Sequence, residues 1–427
     1  MCPDRTQRQC PPRPRRTRLP RIIWAAAWVS FFADFSTEMI YGILPAFYLH
    51  TLSLSILSLG IIEGVAESIV ALTKLFSGTI SDRTGRRNLW MLAGYGLSGL
   101  AKPLLGLVTT GLGFGLLRAM DRFGKGIRGA PRDALVSAAV DEHERGRAFG
   151  LQRALDHAGA LAGGLTAAGL LAAGLLAPRS LFFLAAVPGA IAVLIIALFI
   201  REPRVLRERT SEDKPRTHAF SIAAAWRGAS PALRRYLLPA GVFAVANASD
   251  MLLLAISYER FIASGLSQQG ALARLPLLWA LLHVVKSAGS SWGGRLSDRL
   301  GPVRLIRVAW AVYAGVYGIA GVLATGGPAM LAWPMFAVYG LFTIFSEAPE
   351  RALIAQLAAS PEQRGAAFGL VHFVTGILAL PATILAGLLW LRVSPVWAFG
   401  VDAALALLAT LLLTVYAPEA VHTQDQS

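Results

Sequence analysis

Stretches of about twenty mostly apolar residues recur from position 24 to position 416, separated by short polar segments. A helical run of that length crosses a bilayer's hydrocarbon core of about 30 Å. The pattern predicts spans at 24–48, 57–77, 89–109, 112–134, 148–176, 179–200, 236–258, 271–291, 303–325, 331–355, 366–390 and 395–416. The expected class is an all-α membrane protein with twelve transmembrane helices. Composition agrees, because a 427-residue chain with only 15% charged residues has too little charge to cover a soluble surface.

The chain repeats itself. Gly78-Thr-Ile-Ser-Asp82-Arg83-Thr-Gly85 matches Gly294-Arg-Leu-Ser-Asp298-Arg299-Leu-Gly301. Ala130-Pro131-Arg132-Asp133-Ala134-Leu135 matches Ala348-Pro349-Glu350-Arg351-Ala352-Leu353. Arg145-Gly146-Arg147-Ala148-Phe149-Gly150-Leu151 matches Arg364-Gly365-Ala366-Ala367-Phe368-Gly369-Leu370. Three blocks in the same order imply duplication, with six spans in each copy. An even number of spans keeps both copies in one orientation. They are therefore parallel pseudo-repeats, with a binding site expected between them near the midplane. The expected organisation is a basic tail at 1–21, a six-helix bundle at 22–200, a linker at 201–232, a second bundle at 233–417 and a tail at 418–427. One short surface helix is expected in the linker at 219–227.

The net charge of +15 sits at helix ends. Seven arginines fall within the first 21 residues, three more lie in Ser81–Asn88, and the central loop adds Arg201, Arg204, Arg207, Arg209, Lys214 and Arg216. The alternate loops 49–56, 108–113 and 325–330 hold no Lys or Arg. This positive-inside pattern predicts cytoplasmic N- and C-termini and a cytoplasmic central loop in a bacterial inner membrane. It accounts for the basic charge without a nucleic-acid partner. The N-terminal segment is too basic for a cleaved signal peptide. Cys2 and Cys10 offer neither a disulfide framework nor a metal site.

The segment Gly78–Arg87 reads G-x-x-x-D-R-x-G-R-R and resembles the loop 2–3 signature of the major facilitator superfamily. The degenerate copy at 294–301 is similar to its second-half counterpart. With twelve spans in two halves, the resemblance covers the whole chain. It implies the MFS fold and transport by alternating access. It also implies a gating role for Gly78, Asp82, Arg83, Gly85, Arg86 and Asp133, with Asp298 and Arg299 in the second copy, in which Asp82 pairs in one conformation and separates in the other. The alternative is a basic loop that only sets topology. In the fifth span, Gly150, Gly159, Gly163 and Gly164 resemble the glycine motif of proton-exchanging drug exporters. Gly164 stands where that motif has proline, and Ala167-Ala168 replace its last glycine pair. Close packing of a glycine-rich helix is the alternative.

Ionisable residues inside a span cost about 2.5–3.5 kcal/mol on insertion scales, so each is a candidate for function. Most lie in the first half. Asp34 and Glu38 share a face of span 1. Span 2 carries Glu63, Glu67 and Lys74, and span 3 carries Lys102. In span 4, Arg118, Asp121, Arg122, Lys125, Arg128 and Arg132 fall within an arc of roughly 140° and cannot face lipid. Arg118 stands where exporters of the superfamily often carry arginine, although Leu116 is two residues before it, not four, and Asp121 replaces the favoured glutamine. Span 5 adds Arg153, Asp156 and His157. The other half supplies Asp250, whose context matches that of Glu38, with His283, Lys286 and Glu347. A carboxylate held from water can exchange a proton near neutral pH, which makes Glu38, Asp34 and Asp250 the proton-coupling candidates. Arg118, Asp121, Arg122, Glu63, Glu67, Arg153, His157, His283 and Glu347 are the cavity candidates. Tyr41, Phe47, Trp279 and Tyr339 are candidates for apolar pocket walls.

No G-x-x-x-x-G-K-[ST] loop is present for ATP drive, and Gly124-Lys125-Gly126 lies inside a span. His143 and His157 have no ligand neighbours at metal spacing. Neither enzyme activity nor a cofactor is expected. The expected function is proton-coupled export of a small amphipathic compound or drug by a monomer in the lipid bilayer. Two alternatives stay open: uptake or facilitated transport of an organic anion drawn to the span 4 stripe, and a non-transporting membrane sensor on the same fold.

Overall fold

The structure is a computed structural model that describes residues 19–141, 144–200, 222–360 and 363–416; the side chains of 78, 79, 82, 83, 290 and 291 are outside that description. Among the described residues twelve long helices follow one another, the seventh of them interrupted. They are α1 (Arg21–Tyr41), α2 (Ile56–Thr84), α3 (Arg87–Leu107), α4 (Gly111–Ala138), α5 (Arg145–Ala172) and α6 (Pro178–Phe199), then α7 (Pro231–Ala263), α8 (Gln268–Leu300), α9 (Pro302–Ala324), α10 (Ala332–Leu357), α11 (Arg364–Arg392) and α12 (Pro395–Tyr416). Each overlaps a predicted span. The linker has a short helix at Ile222–Gly228; residues 219–221 of the expected surface helix lie outside the described residues, as do His143 and most of both tails.

Local chemistry sets the helix ends. Ser55, Thr110, Ser230 and Ser267 each accept a backbone N–H three residues on, which satisfies a donor left free at a helix start. Proline opens α6, α7 and α9, where its missing N–H costs nothing. Gly85, at φ 62°, ends α2 in the left-handed region that side chains disfavour. Ser55 and Ser267 cap α2 and α8 alike, and the same register pairs Glu38 with Asp250 and Lys74 with Lys286.

Among the described residues, eight helices are apolar and long enough to cross a membrane by composition; α1, α3, α4 and α5 are not among them. Those four hold most of the intramembrane charges. They lie against each other within the first half, α1 along α5 and α3 along α4. Gly159 and Gly163 seat α5 on α1 so closely that an added Cβ would come within 2.1 Å of Phe31 O and 2.4 Å of Phe35 O. Gly159 and Gly163 of the span 5 pattern thus form a packing seam on α1, whereas a Cβ at Gly150 would meet nothing within 4 Å and Gly164 is turned to the other half, toward Pro276 O.

The halves meet along α2–α11 and α5–α8. Ser68 Oγ donates to Gly376 O at 2.9 Å, and Gln269 Nε2 donates to Leu171 O at 2.9 Å. At the face away from the termini, one apolar cluster joins Leu44, Phe47 and Phe182 of the first half to Leu253, Tyr258 and Phe261 of the second. At the termini face, α5 parts from α8 and α10 around a cavity of about 840 Å³.

Span 7 departs from expectation. It was predicted unbroken over 236–258, but helix stops at Ala246 and restarts at Met251. Backbone freed inside a membrane must find other partners. Here Tyr313 and Tyr317 of α9 donate their hydroxyls to Ala246 O and Ala248 O at 3.0 and 3.5 Å.

Candidate functional site

A cavity of about 490 Å³ lies between the halves. α1 contributes Glu38 and Tyr41, α2 contributes Glu63, Glu67 and Lys74, and α4 contributes Arg122 and Lys125. The opposite wall is the broken stretch Asn247–Asp250 with Trp279, Tyr339 and Phe342, and α11 adds His372 and Thr375. Asp250, at the restart of helix after the break in α7, belongs to this wall.

The two register-related acids face this cavity in different ways. Glu38 Oε2 accepts from Trp279 Nε1 at 2.6 Å, so its bond crosses from one half to the other. Asp250 Oδ1 accepts from the Tyr339 hydroxyl within its own half. Trp279 also lies on Tyr41, with ring centroids 4.7 Å apart. Asp34 lies one turn from Glu38 on α1, off the cavity wall.

Behind the wall, Arg118 and Glu63 form a fork. Nε donates to Oε1 at 2.7 Å and Nη2 to Oε2 at 2.9 Å, with both side chains almost wholly buried. Arg118 Nη1 reaches Asp121 Oδ2 at 3.4 Å, and Ser98 donates to Asp121. Of these groups only Glu63 touches the cavity, so Arg118 and Asp121 sit outside it in a sealed network. Arg122 is held more loosely, 3.8 Å from Glu67, and Lys125 has no ion-pair partner among the described residues. Arg128 lies over the Tyr95 ring at 4.2 Å, and Arg132 pairs with Asp133 at 3.1 Å. Lys102 is buried and donates to Ser36 Oγ at 3.0 Å.

Other sequence candidates gather elsewhere. Arg153, His157 and Glu347 line the cavity of about 840 Å³, not the central one, together with Lys286 and Arg351. Lys286 pairs with Glu347. His283 lies between the two cavities, its ring 5.7 Å from Trp279 and 6.3 Å from His157. Phe47, expected as a pocket wall, is instead buried against Phe182 with Arg179 over its ring. Among the gating candidates, Gly85 makes its turn, Arg86 is exposed before α3, and Asp298 and Arg299 are exposed near the end of α8. Gly78, Asp82 and Arg83 have side-chain positions outside the described residues. The sequence did not single out Asn247, Ser249, His372 or Thr375; the run Asn-Ala-Ser-Asp inside an apolar span was the available signal for the first two.

Among the described residues no group of three or more His, Cys, Asp and Glu is placed to hold a metal. A family profile described as Major Facilitator Superfamily matches residues 26–380. An uncharacterised MFS-type transporter of Methanocaldococcus jannaschii is 28% identical over 92% of this chain and 94% of its own. The multidrug resistance protein MdtG of Klebsiella pneumoniae is 27% identical over 58% of each chain. The crystal structure of the nucleoside transporter NupG superposes with a TM-score of 0.74 at 11% identity, covering 93% of this chain and 99% of that one. The profile spans most of the chain and the fold agrees with it: the protein is a member of the Major Facilitator Superfamily, a multi-pass membrane protein built as two parallel six-helix pseudo-repeats.

Proposed function

We propose that the protein is a secondary active transporter that couples proton movement to export of a small amphipathic compound by alternating access, with both termini cytoplasmic in a bacterial inner membrane. One observation carries this reading. Glu38 and Asp250 occupy equivalent positions in the two halves and face one cavity at their seam, and the bond Glu38 accepts comes from the opposite half. A hydrogen bond to an ionised carboxylate is roughly twice as strong as a neutral one. A proton taken up on Glu38 therefore loosens a contact across the seam, which links proton occupancy to rocking of the halves. The likeness to a multidrug resistance protein favours export of a drug-like compound.

A second reading rests on Lys74, Arg122 and Lys125, which give the cavity wall cationic groups and favour an organic anion as cargo. Gly78, Asp82, Arg83, Gly85, Arg86 and Asp133, with Asp298 and Arg299, act in this proposal as the gate at the termini face.

Purified protein in vesicles under an imposed pH gradient tests the reading. Wild type should move at least one compound of a broad amphipathic panel, and Glu38→Gln should lose the gradient-driven part while keeping its fold. Normal coupled transport by Glu38→Gln would remove that residue from the mechanism. Absence of any gradient-driven flux across the panel would sink the transporter reading in favour of a sensor.

A further inference from the structure

The cavity of about 840 Å³ between α5, α8 and α10 is separate from the central one, and its wall is graded along its depth. At the termini end stand Arg153 from the first half and Arg351 from the second. His157 and the Lys286–Glu347 pair follow inward, and Leu161, Val284 and Ile344 form the deep end. Arg153 to Leu161 is eight residues of helix, or about 12 Å of depth at 1.5 Å per residue.

The charges do not balance. Lys286 is matched by Glu347, whereas Arg153 and Arg351 have no ion-pair partner among the described residues, and both are exposed. Two guanidinium groups from opposite halves face one space and repel each other. An anion between them offsets that repulsion and accepts forked hydrogen bonds from both. An acyl or alkyl chain attached to the anion can lie on Leu161, Val284 and Ile344, with apolar burial contributing about 0.8 kcal/mol per CH₂. A cation or a fully polar solute matches only part of this wall.

The geometry points to this cavity as a loading site for an amphipathic anion, with its head group on Arg153 and Arg351 and its apolar chain running inward along α5 and α8. The site deepens the transporter reading, on which it rests for its place ahead of the central cavity. The Trp279–His283–His157 ring contacts run from the wall of one space to the wall of the other. Because the head-group ligands come from both halves, occupancy also draws those halves together at the termini face.

Binding is tested without a pH gradient, so that it stands apart from transport. Radiolabelled decanoate is titrated onto the full chain in nanodiscs of zwitterionic phosphatidylcholine, with decyltrimethylammonium and inorganic phosphate as competitors. Saturable decanoate binding is expected. It should weaken at least tenfold in the double variant Arg153→Gln/Arg351→Gln and markedly less in Arg153→Lys/Arg351→Lys, which keeps both charges, loses only the forks and controls for folding. The cation and free phosphate should compete at least tenfold less well than unlabelled decanoate. Nanodiscs containing anionic phosphatidylglycerol separate two sources of the same chemistry: suppressed binding identifies a lipid head group as the occupant, and unchanged binding identifies a soluble amphiphile. Equal binding by wild type and the Gln variant, or equal competition by the cation, overturns the site. Decanoate binding with no gradient-driven flux would leave the site standing and remove the transporter reading instead.

Discussion

Glu63→Gln tests whether the charged stripe of α4 is structural at its core. Glu63 and Arg118 are 2% and 1% exposed and share a fork of 2.7 and 2.9 Å. The substitution removes the carboxylate charge and turns an amide NH₂ toward a guanidinium that can only donate. Removing one partner of a buried pair costs about 3–5 kcal/mol, because the other charge is left without compensation. Asp121, at 3.4 Å, retains part of that compensation, which places the expected loss at the low end, about 3 kcal/mol. Set against a total stability of about 5–15 kcal/mol, this is a large share. Large membrane proteins often unfold irreversibly, so the measurement is the half-life of the folded, monodisperse protein in detergent at fixed temperature. Glu63→Gln should shorten it sharply. The double variant Glu63→Met/Arg118→Met should be longer-lived than Glu63→Gln, because it leaves no buried guanidinium facing an amide, and Asp121 keeps the hydrogen bond from Ser98. A Glu63→Gln half-life equal to wild type, or a double variant shorter-lived than Glu63→Gln, would refute the assignment of this pair as a structural element.

Other consequences follow from the seams between helices. Gly159→Ala places a Cβ 2.1 Å from Phe31 O and should reduce folded yield strongly, whereas Gly150→Ala meets nothing within 4 Å and should be neutral; yield and size-exclusion profiles compare them. Gly376→Val drives side-chain atoms into Ala71 across the α2–α11 seam, where an added Cβ alone would lie 2.1 Å from Ala71 Cβ, and should shift the balance between states, read as altered cysteine accessibility at the two cavity mouths. Trp279→Phe keeps the ring on Tyr41 but deletes the donor to Glu38, so flux should remain while its dependence on the pH gradient flattens; an unchanged pH profile would show that the cross-seam bond has no part in coupling. Asp82→Asn should likewise shift accessibility at the mouths, and an unchanged pattern would favour a loop that only sets topology.

Much of this protein was legible in the sequence because the membrane enforces simple rules. Backbone inside a membrane is satisfied chiefly within helices, so recurring apolar runs located the spans, including α1, α3, α4 and α5, whose charges keep them below the apolar length a span needs by composition. The duplicated blocks fixed the number of halves and their parallel relation. Charge stripes announced which helices could not face lipid, and α4 accordingly buries Arg118, Asp121, Arg122 and Arg128. The sequence could not say which charges meet. Glu63 and Arg118 are 55 positions apart, and their fork depends on how α2 lies against α4. Nor could it separate the sealed pair from the cavity wall, since Arg118 and Arg122 differ by a single turn of one helix. The break in α7 was hidden for a related reason, because the hydroxyls that satisfy Ala246 and Ala248 come from α9. Periodicity and repetition are properties of the chain alone and determined the class, the spans and the two-half plan. Pairings between helices depend on packing in three dimensions. Only the tertiary structure therefore decided that Glu38 reaches Trp279 in the other half, and that Arg153 and Arg351 face each other across a second cavity.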